Sequence, residues 1–160
     1  MYRLLKLLSE NDRLTTDELA AMLAVSPEEV AREIAEYEKA GVIKGYNALI
    51  NWEKADCNRA TALIELKVSP KKETGFDEIA HRIREFEEVE SVYLMSGGYD
   101  LAVTVNAKSM QDIAMFVVRR LSPLDGVLST ATHFVLTRYK DGGVIFDDGE
   151  KNDERRSNLW

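Results

Sequence analysis

Ser96-Gly97-Gly98-Tyr99-Asp100 brings together residue types suited to holding a small zwitterion. Two adjacent glycines let a ligand reach main-chain N–H groups with no Cβ in the way, and such N–H groups suit a carboxylate. The carboxylate of Asp100 suits an ammonium group. Tyr99 can close over a side chain, and Thr130 and Thr132 are placed to add hydroxyl contacts from a later strand. Asp125, beside Gly126, is a further candidate carboxylate. The same stretch also reads as a plain β-hairpin turn with Asp100 at its edge. Residue types alone leave both readings open.

The second chemistry-bearing stretch is residues 26–46, SPEEVAREIAEYEKAGVIKGY. Ser26 and Glu29 have the spacing of a capping box, and Pro27 falls where a helix tolerates a missing N–H. Val30, Ile34 and Tyr37 recur at helical spacing as the buried stripe. Gly41 supplies a left-handed cap, and Val42-Ile43 opens an extended segment. Upstream, Thr15-Thr16-Asp17-Glu18 forms another capping box, followed by Leu19, Met22 and Leu23. Two short helices joined through Ala24-Val25, and then a strand, describe a helix-turn-helix with a wing. The second helix of such a unit ordinarily enters the DNA major groove.

Charge opposes that role. The chain carries a net charge of −7. Residues 1–45 hold six Lys/Arg against nine Asp/Glu, so the acidity reaches the segment that would face a polyanion. The second helix carries Glu28, Glu29, Glu33, Glu36 and Glu38. Expected DNA contacts are Arg13, Arg32, Lys39 and Lys44, with Ser26 and Glu29 at the helix N-terminus and Glu33 as a carboxylate able to accept from cytosine. Phosphate neutralisation supplies most non-specific affinity, so DNA binding is expected to be modest and strongly salt-dependent. The alternative is an effector-sensing oligomer whose degenerate, non-DNA-binding helix-turn-helix docks a protein partner.

Other chemistries find little footing. A single cysteine, Cys57, excludes an intramolecular disulfide and a cysteine-rich metal site. Two histidines, His81 and His133, lack metal-ligand or triad spacing, and no phosphate-binding loop or nucleophile elbow occurs. No apolar run approaches the roughly 20 residues of a membrane span, and charges interrupt the N-terminal apolar stretch. The expectation is a cytoplasmic protein that is not an enzyme, needs no cofactor or metal, and has no membrane partner.

Hydrophobic periodicity places these stretches on elements. A first helix over residues 2–9 carries four leucines. Residues 42–50 form the wing, and residues 51–58 a polar connector anchored by Trp52. Ala62, Ile64, Leu66 and Val68 then alternate with polar neighbours as a half-buried strand. Residues 70–74 form a loop, and Phe76, Ile79, Ala80 and Ile83 a helix. Strands follow over 89–96 and 101–106, then a helix capped by Ser109 and a long strand over 127–139. The fold class is α+β: an N-terminal winged helix-turn-helix (1–50), the connector (51–58), and a βαββαβ ferredoxin-like sandwich (59–140). Residues 141–160 read as an acidic, disordered tail. One sheet face is left uncovered, and Leu63, Tyr93, Met95 and Val135 predict its burial against another copy, in a homodimer or higher homo-oligomer.

This order resembles the Lrp/AsnC family of amino-acid-responsive transcription regulators over residues 2–140. Its matches are Gly41-Val42-Ile43-Lys44-Gly45-Tyr46, Ser96-Gly97-Gly98-Tyr99-Asp100, and Gly126-Val127 with Thr130 and Thr132. The resemblance implies double-stranded DNA as partner of the first domain and dimerisation through the second. It also implies a small amino-acid-like effector bound between second domains, and it favours the ligand reading of the glycine loop. The family commonly places a basic or polar residue where this chain has Glu33. Some relatives of this layout act in tetrapyrrole decarboxylation, but no histidine-rich pocket supports that reading here.

Overall fold

The computed structural model describes residues 2–55, 57–70 and 75–146. The expected 70–74 loop (apart from Pro70) and the tail beyond Phe146 lie outside the described residues. The chain divides into two compact units: Met1–Ile50 with Lys140–Ile145, and a second unit that begins at Asn51 and includes Asn51–Tyr139.

The first unit holds α1 (Tyr2–Glu10), α2 (Thr16–Leu23) and α3 (Pro27–Lys39). Its core is Leu4, Leu19, Ala20, Val30 and Tyr37, with Leu7, Leu8, Leu14, Ile34 and Ile43 packed against it. Each helix start has a chemical cause. Thr15 Oγ1 accepts from the Glu18 amide while Glu18 accepts from the Thr15 amide, a complete capping box. At α3 Ser26 Oγ accepts from the Glu29 amide at 3.2 Å. The return bond from Glu29, expected from the spacing, is formed at α2 but not at α3. Ala24, at φ 59, makes the left-handed bend between α2 and α3.

α3 ends as the glycine demands. Gly41 sits at φ +68, its amide donates to Glu38 O, and the Val42 amide donates to Tyr37 O. These two bonds are those of a Schellman cap. The wing strand expected over residues 42–50 is absent: past Ile43 the stretch is exposed and takes no ladder partner. Without a partner to satisfy its amides, β propensity alone makes no strand. Instead β5 (Lys140–Asp141) and β6 (Val144–Ile145) pair as a hairpin that belongs to this unit. Gly142 and Gly143 both have positive φ at its turn, and a Cβ on Gly142 would stand 2.8 Å from Leu49 Cδ1. Asp141-Gly142-Gly143 is hairpin chemistry inside a stretch read from composition as tail.

The second unit is the sandwich. β1 (Ala60–Val68), β2 (Val89–Leu94), β3 (Leu101–Ala107) and β4 (Val127–Phe134) form an antiparallel sheet in the order β2-β3-β1-β4. α4 (Asp77–Ile83), α5 (Met110–Phe116) and a π-helical turn (Val117–Leu121) supply Ile79, Ile83, Ile113, Phe116, Val117 and Leu121 to the core. From the sheet come Ala62, Ile64, Leu66, Val68, Leu101, Val103 and Val105. β2 and β4 end earlier than expected, at Leu94 and Phe134. The opposite sheet face carries Leu63, Tyr93 and Val135, at 36%, 59% and 41% exposure, and Met95 at 40% follows β2.

Candidate effector and nucleic-acid sites

The glycine loop and Asp125 lie at the same end of the sheet, on either side of the point where β1 leaves it. The loop spans Met95 to Asp100, and Asp100 is its anchor. The Asp100 amide donates to Leu66 O at 2.8 Å, its carbonyl accepts from the Met95 amide at 2.8 Å, and its Oδ2 accepts from the Val68 amide at 2.9 Å. One residue thus ties the ends of β1, β2 and β3. Oδ2, expected to face an ammonium, is committed to the backbone, and the hairpin-edge reading of Asp100 holds for that oxygen. On the other side of β1, the Ser69 amide donates to Gly126 O at 2.8 Å, which brings the Asp125-Gly126 turn to the same end. Asp125 is exposed there.

The glycines fall into two kinds. Gly126 is required by the fold: its φ is +91, and a Cβ there would stand 2.6 Å from Ile79 Cδ1. Gly97 and Gly98 are not. Neither occupies the left-handed region, and a Cβ on either would meet nothing within 4 Å. The bend between β2 and β3 is made without a left-handed backbone at either glycine. Open space without strain leaves room for close approach from outside the chain.

Thr130 and Thr132 are half-buried on β4, opposite Leu66 and Ile64, and so share the helix-side pleat of the sheet. β1 lies between them and Leu101, which puts their backbone about 10 Å away at the usual strand spacing. Tyr99 is half-buried beside Asp100. Within one chain the loop therefore lies on the β3 side of the β1 exit, and Asp125 and both threonines lie on the β4 side.

On α3 the acidic residues are sorted, which sequence listing had hidden. At about 100° per residue, the face opposite Val30, Ile34 and Tyr37 runs Glu28, Arg32, Ala35, Lys39. All four are exposed. Glu29, Glu33 and Glu36 lie on one flank and, with Arg32 and Tyr37, line a shallow hollow. Glu33 is half-buried there: the Tyr37 hydroxyl donates to its Oε1 at 2.7 Å. That bond holds the Glu33 carboxyl below its usual range and pushes the Tyr37 phenol up to about 12. On the other flank Glu38 Oε1 accepts from the Tyr46 hydroxyl at 3.0 Å. Burial first, and then this bond, raises the Tyr46 phenol.

Two of five carboxylates are thus held by phenols, and Arg32 and Lys39 occupy the middle of the outward face. The tyrosines were missed as partners, because Tyr37 reads as core and Tyr46 as wing. The i, i+4 spacing of Glu33 and Tyr37 was the available signal. Ser26 is spent on its cap, and Arg13 is exposed before α2. Lys44 folds back, its Nζ 2.9 Å from where a Cβ on Gly41 would stand, over the carbonyl end of α3.

Among the described residues no cluster of three or more His, Cys, Asp or Glu is arranged to hold a metal ion. His133 lies 3.6 Å from Glu65 on the open sheet face, and Cys57 is exposed. No helix among the described residues is long and apolar enough to cross a membrane.

Comparison with known proteins covers both units. Residues 1–44 match the family described as winged helix-turn-helix DNA-binding, and residues 61–145 that described as Lrp/AsnC ligand binding domain. The uncharacterized HTH-type transcriptional regulator YugG of Bacillus subtilis is 47% identical over 154 residues, covering 96% of this chain and 92% of its own length. The regulator LrpA of Pyrococcus abyssi is 29% identical over 86% of this chain and 94% of its own. Among solved structures, the regulator NMB0573 of Neisseria meningitidis, crystallised as a complex with L-Met, matches with a TM-score of 0.70 at 29% identity. That match covers 86% of this chain and 88% of NMB0573.

Proposed function

The chain belongs to the Lrp/AsnC family of transcriptional regulators, and from that premise we propose that it couples an amino-acid-like effector at the β1 exit to DNA occupancy by α3. The observation that carries the effector half is the unforced pair Gly97-Gly98. Neither a left-handed backbone nor crowding calls for glycine there, and the missing Cβ atoms leave room for something that comes close. NMB0573 was crystallised with an amino acid, which fits this class of ligand. In this reading the loop amides take the α-carboxylate, and a carboxylate of this end of the sheet, the second oxygen of Asp100 or Asp125, serves the ammonium; Asp100 Oδ2 already accepts from Val68. Thr130 and Thr132 reach the ligand only if it bridges assembled subunits, which agrees with effector binding between copies.

The uncovered sheet face, with Leu63, Tyr93 and Val135, is assigned to a partner copy, since apolar groups of that size gain from leaving water. Effector at the subunit junction would favour one assembly, and the assembly fixes the spacing of paired α3 helices. On DNA, Arg13 and Lys39 with the α3 N-terminus make the phosphate contacts, and Arg32 faces the groove. Doubled in a dimer, the two phosphate-contacting residues give about four charges and a log–log salt slope near −4. We assign the protein to the cytoplasm and give it no catalytic role.

The test uses the full chain. Thermal shift is measured against the common amino acids one at a time, and DNA retardation across a salt series with and without the ligand that scores. The expected result is a raised melting temperature with one amino-acid class, lost in Gly98→Val, together with a steep negative salt slope. No shift with any amino acid and no retardation at low salt would overturn the proposal.

A further inference from the structure

The acidic flank of α3 has a use that its charge total conceals. Arg32 stands in the first half of the helix, where recognition helices meet base edges, and it makes no ion pair among the described residues. Glu29 and Glu36 lie three residues before it and four after it, both exposed and lining the same hollow. Ala31 and Ala35 put no bulk between helix and groove. Glu33 is held to the helix side by Tyr37. The groove side of α3 therefore offers one guanidinium fork with Glu28 before it on the same row and two carboxylates, Glu29 and Glu36, on its flank.

We infer that α3 selects G·C pairs, Arg32 donating to guanine and Glu36, with Glu29, accepting from the amino group of cytosine. The inference rests on the proposed DNA-binding role of the first unit. In the major groove guanine shows two acceptors, to which a guanidinium donates bidentately. Cytosine shows an amino donor with no acceptor beside it. Thymine shows an acceptor and a methyl group, and adenine sets its donor beside an acceptor. A carboxylate has no hydrogen to give, so it faces repulsion or an unmet acceptor at every base but cytosine. The same carboxylates repel phosphates at any sequence and so lower non-specific binding. At the right site part of that loss is recovered through the cytosine bond. The ratio of specific to non-specific affinity rises while the absolute affinity falls, and that ratio is what a genome full of competing sites selects.

The test is selection of duplexes from a randomised pool by the full-length protein, followed by sequencing. The wild type, Arg32→Ala and the double variant Glu29→Gln/Glu36→Gln are compared, with circular dichroism to confirm that each is helical. These positions are exposed and the replacements are good helix formers, so folding is expected to persist. Wild type should enrich half-sites holding fixed G·C pairs. Arg32→Ala should lose preference at a guanine. The double variant should lose on the order of tenfold discrimination at a cytosine while retaining random DNA more strongly. A motif of A·T pairs alone, or a double variant with an unchanged motif, overturns the inference and leaves the DNA-binding proposal standing. No enrichment by wild type at any salt overturns both.

Discussion

The Asp100 carboxylate accepts the Val68 amide hydrogen at 2.9 Å, from the start of β3 to the end of β1. Val68 is buried, so its amide has no ready substitute in water. Asp100→Ala should therefore cost about 1–3 kcal/mol of folding stability through an unsatisfied buried donor. Asp100→Asn keeps an acceptor and should retain most of it. Urea denaturation measures the difference, and equal stability of Asp100→Ala and wild type would refute the clasp. Because the residue is structural, loss of ligand response in Asp100→Ala alone says little about ligand contact.

The two kinds of glycine separate folding from binding. Gly126→Ala forces a left-handed alanine against Ile79 and should destabilise by about 1–3 kcal/mol. Gly97→Ala and Gly98→Ala should change stability by less than about 0.5 kcal/mol, yet blunt the thermal shift caused by effector. Denaturation midpoints with and without ligand check both arms. If Gly97→Ala and Gly98→Ala respond to ligand as wild type does, the loop is no effector site.

Tyr37 should ionise late. Its hydrogen bond to Glu33 raises the phenol from 10.0 to about 12. A group whose proton is held more tightly in the folded state adds stability below its ordinary pKa. That contribution fades as pH rises from about 10 and is gone above about 12. Alkaline titration by tyrosinate absorbance should show a late transition that Tyr37→Phe removes and Glu33→Gln moves down. A Glu33→Gln curve superimposable on wild type would sink the pairing.

The α2 cap has an acid-side signature. Hydrogen bonds from the Thr15 backbone and hydroxyl hold the Glu18 carboxyl below its ordinary 4.5. A depressed carboxyl stabilises above that ordinary value and loses its effect as pH falls through the lower folded one. Thr15→Ala should cost about 0.5–2 kcal/mol near neutrality and leave a shallower acid dependence. Parallel stability–pH curves for the two proteins would argue against the reciprocal cap.

DNA affinity should fall steeply between low and physiological salt and respond to Arg32 and Lys39 more than to Lys44. The first two hold the outward row of α3, whereas Lys44 folds over Gly41. Retardation assays on the three alanine variants should show Lys44→Ala nearest to wild type. A larger loss for Lys44→Ala would mean that the lysine swings out to a phosphate.

What the sequence determined by itself was local. The caps at Thr15 and Ser26, the Gly41 stop, and the alternation of Ala62, Ile64, Leu66 and Val68 depend on partners one to four residues away. Element order followed from such signals, and the order was enough for the fold class. The tertiary structure decided whatever needed a distant partner. Residues 42–50 had strand propensity but found no ladder, while Lys140–Asp141 and Val144–Ile145 paired inside an apparent tail. Asp100 became a clasp because β1 passes beside it, and four of the five acids of α3 were set on its flanks by the direction in which its apolar stripe is buried. Period and capping are written in neighbouring side chains; the direction a face takes, and which hydrogen bonds are already spent, depend on what the rest of the chain brings against it.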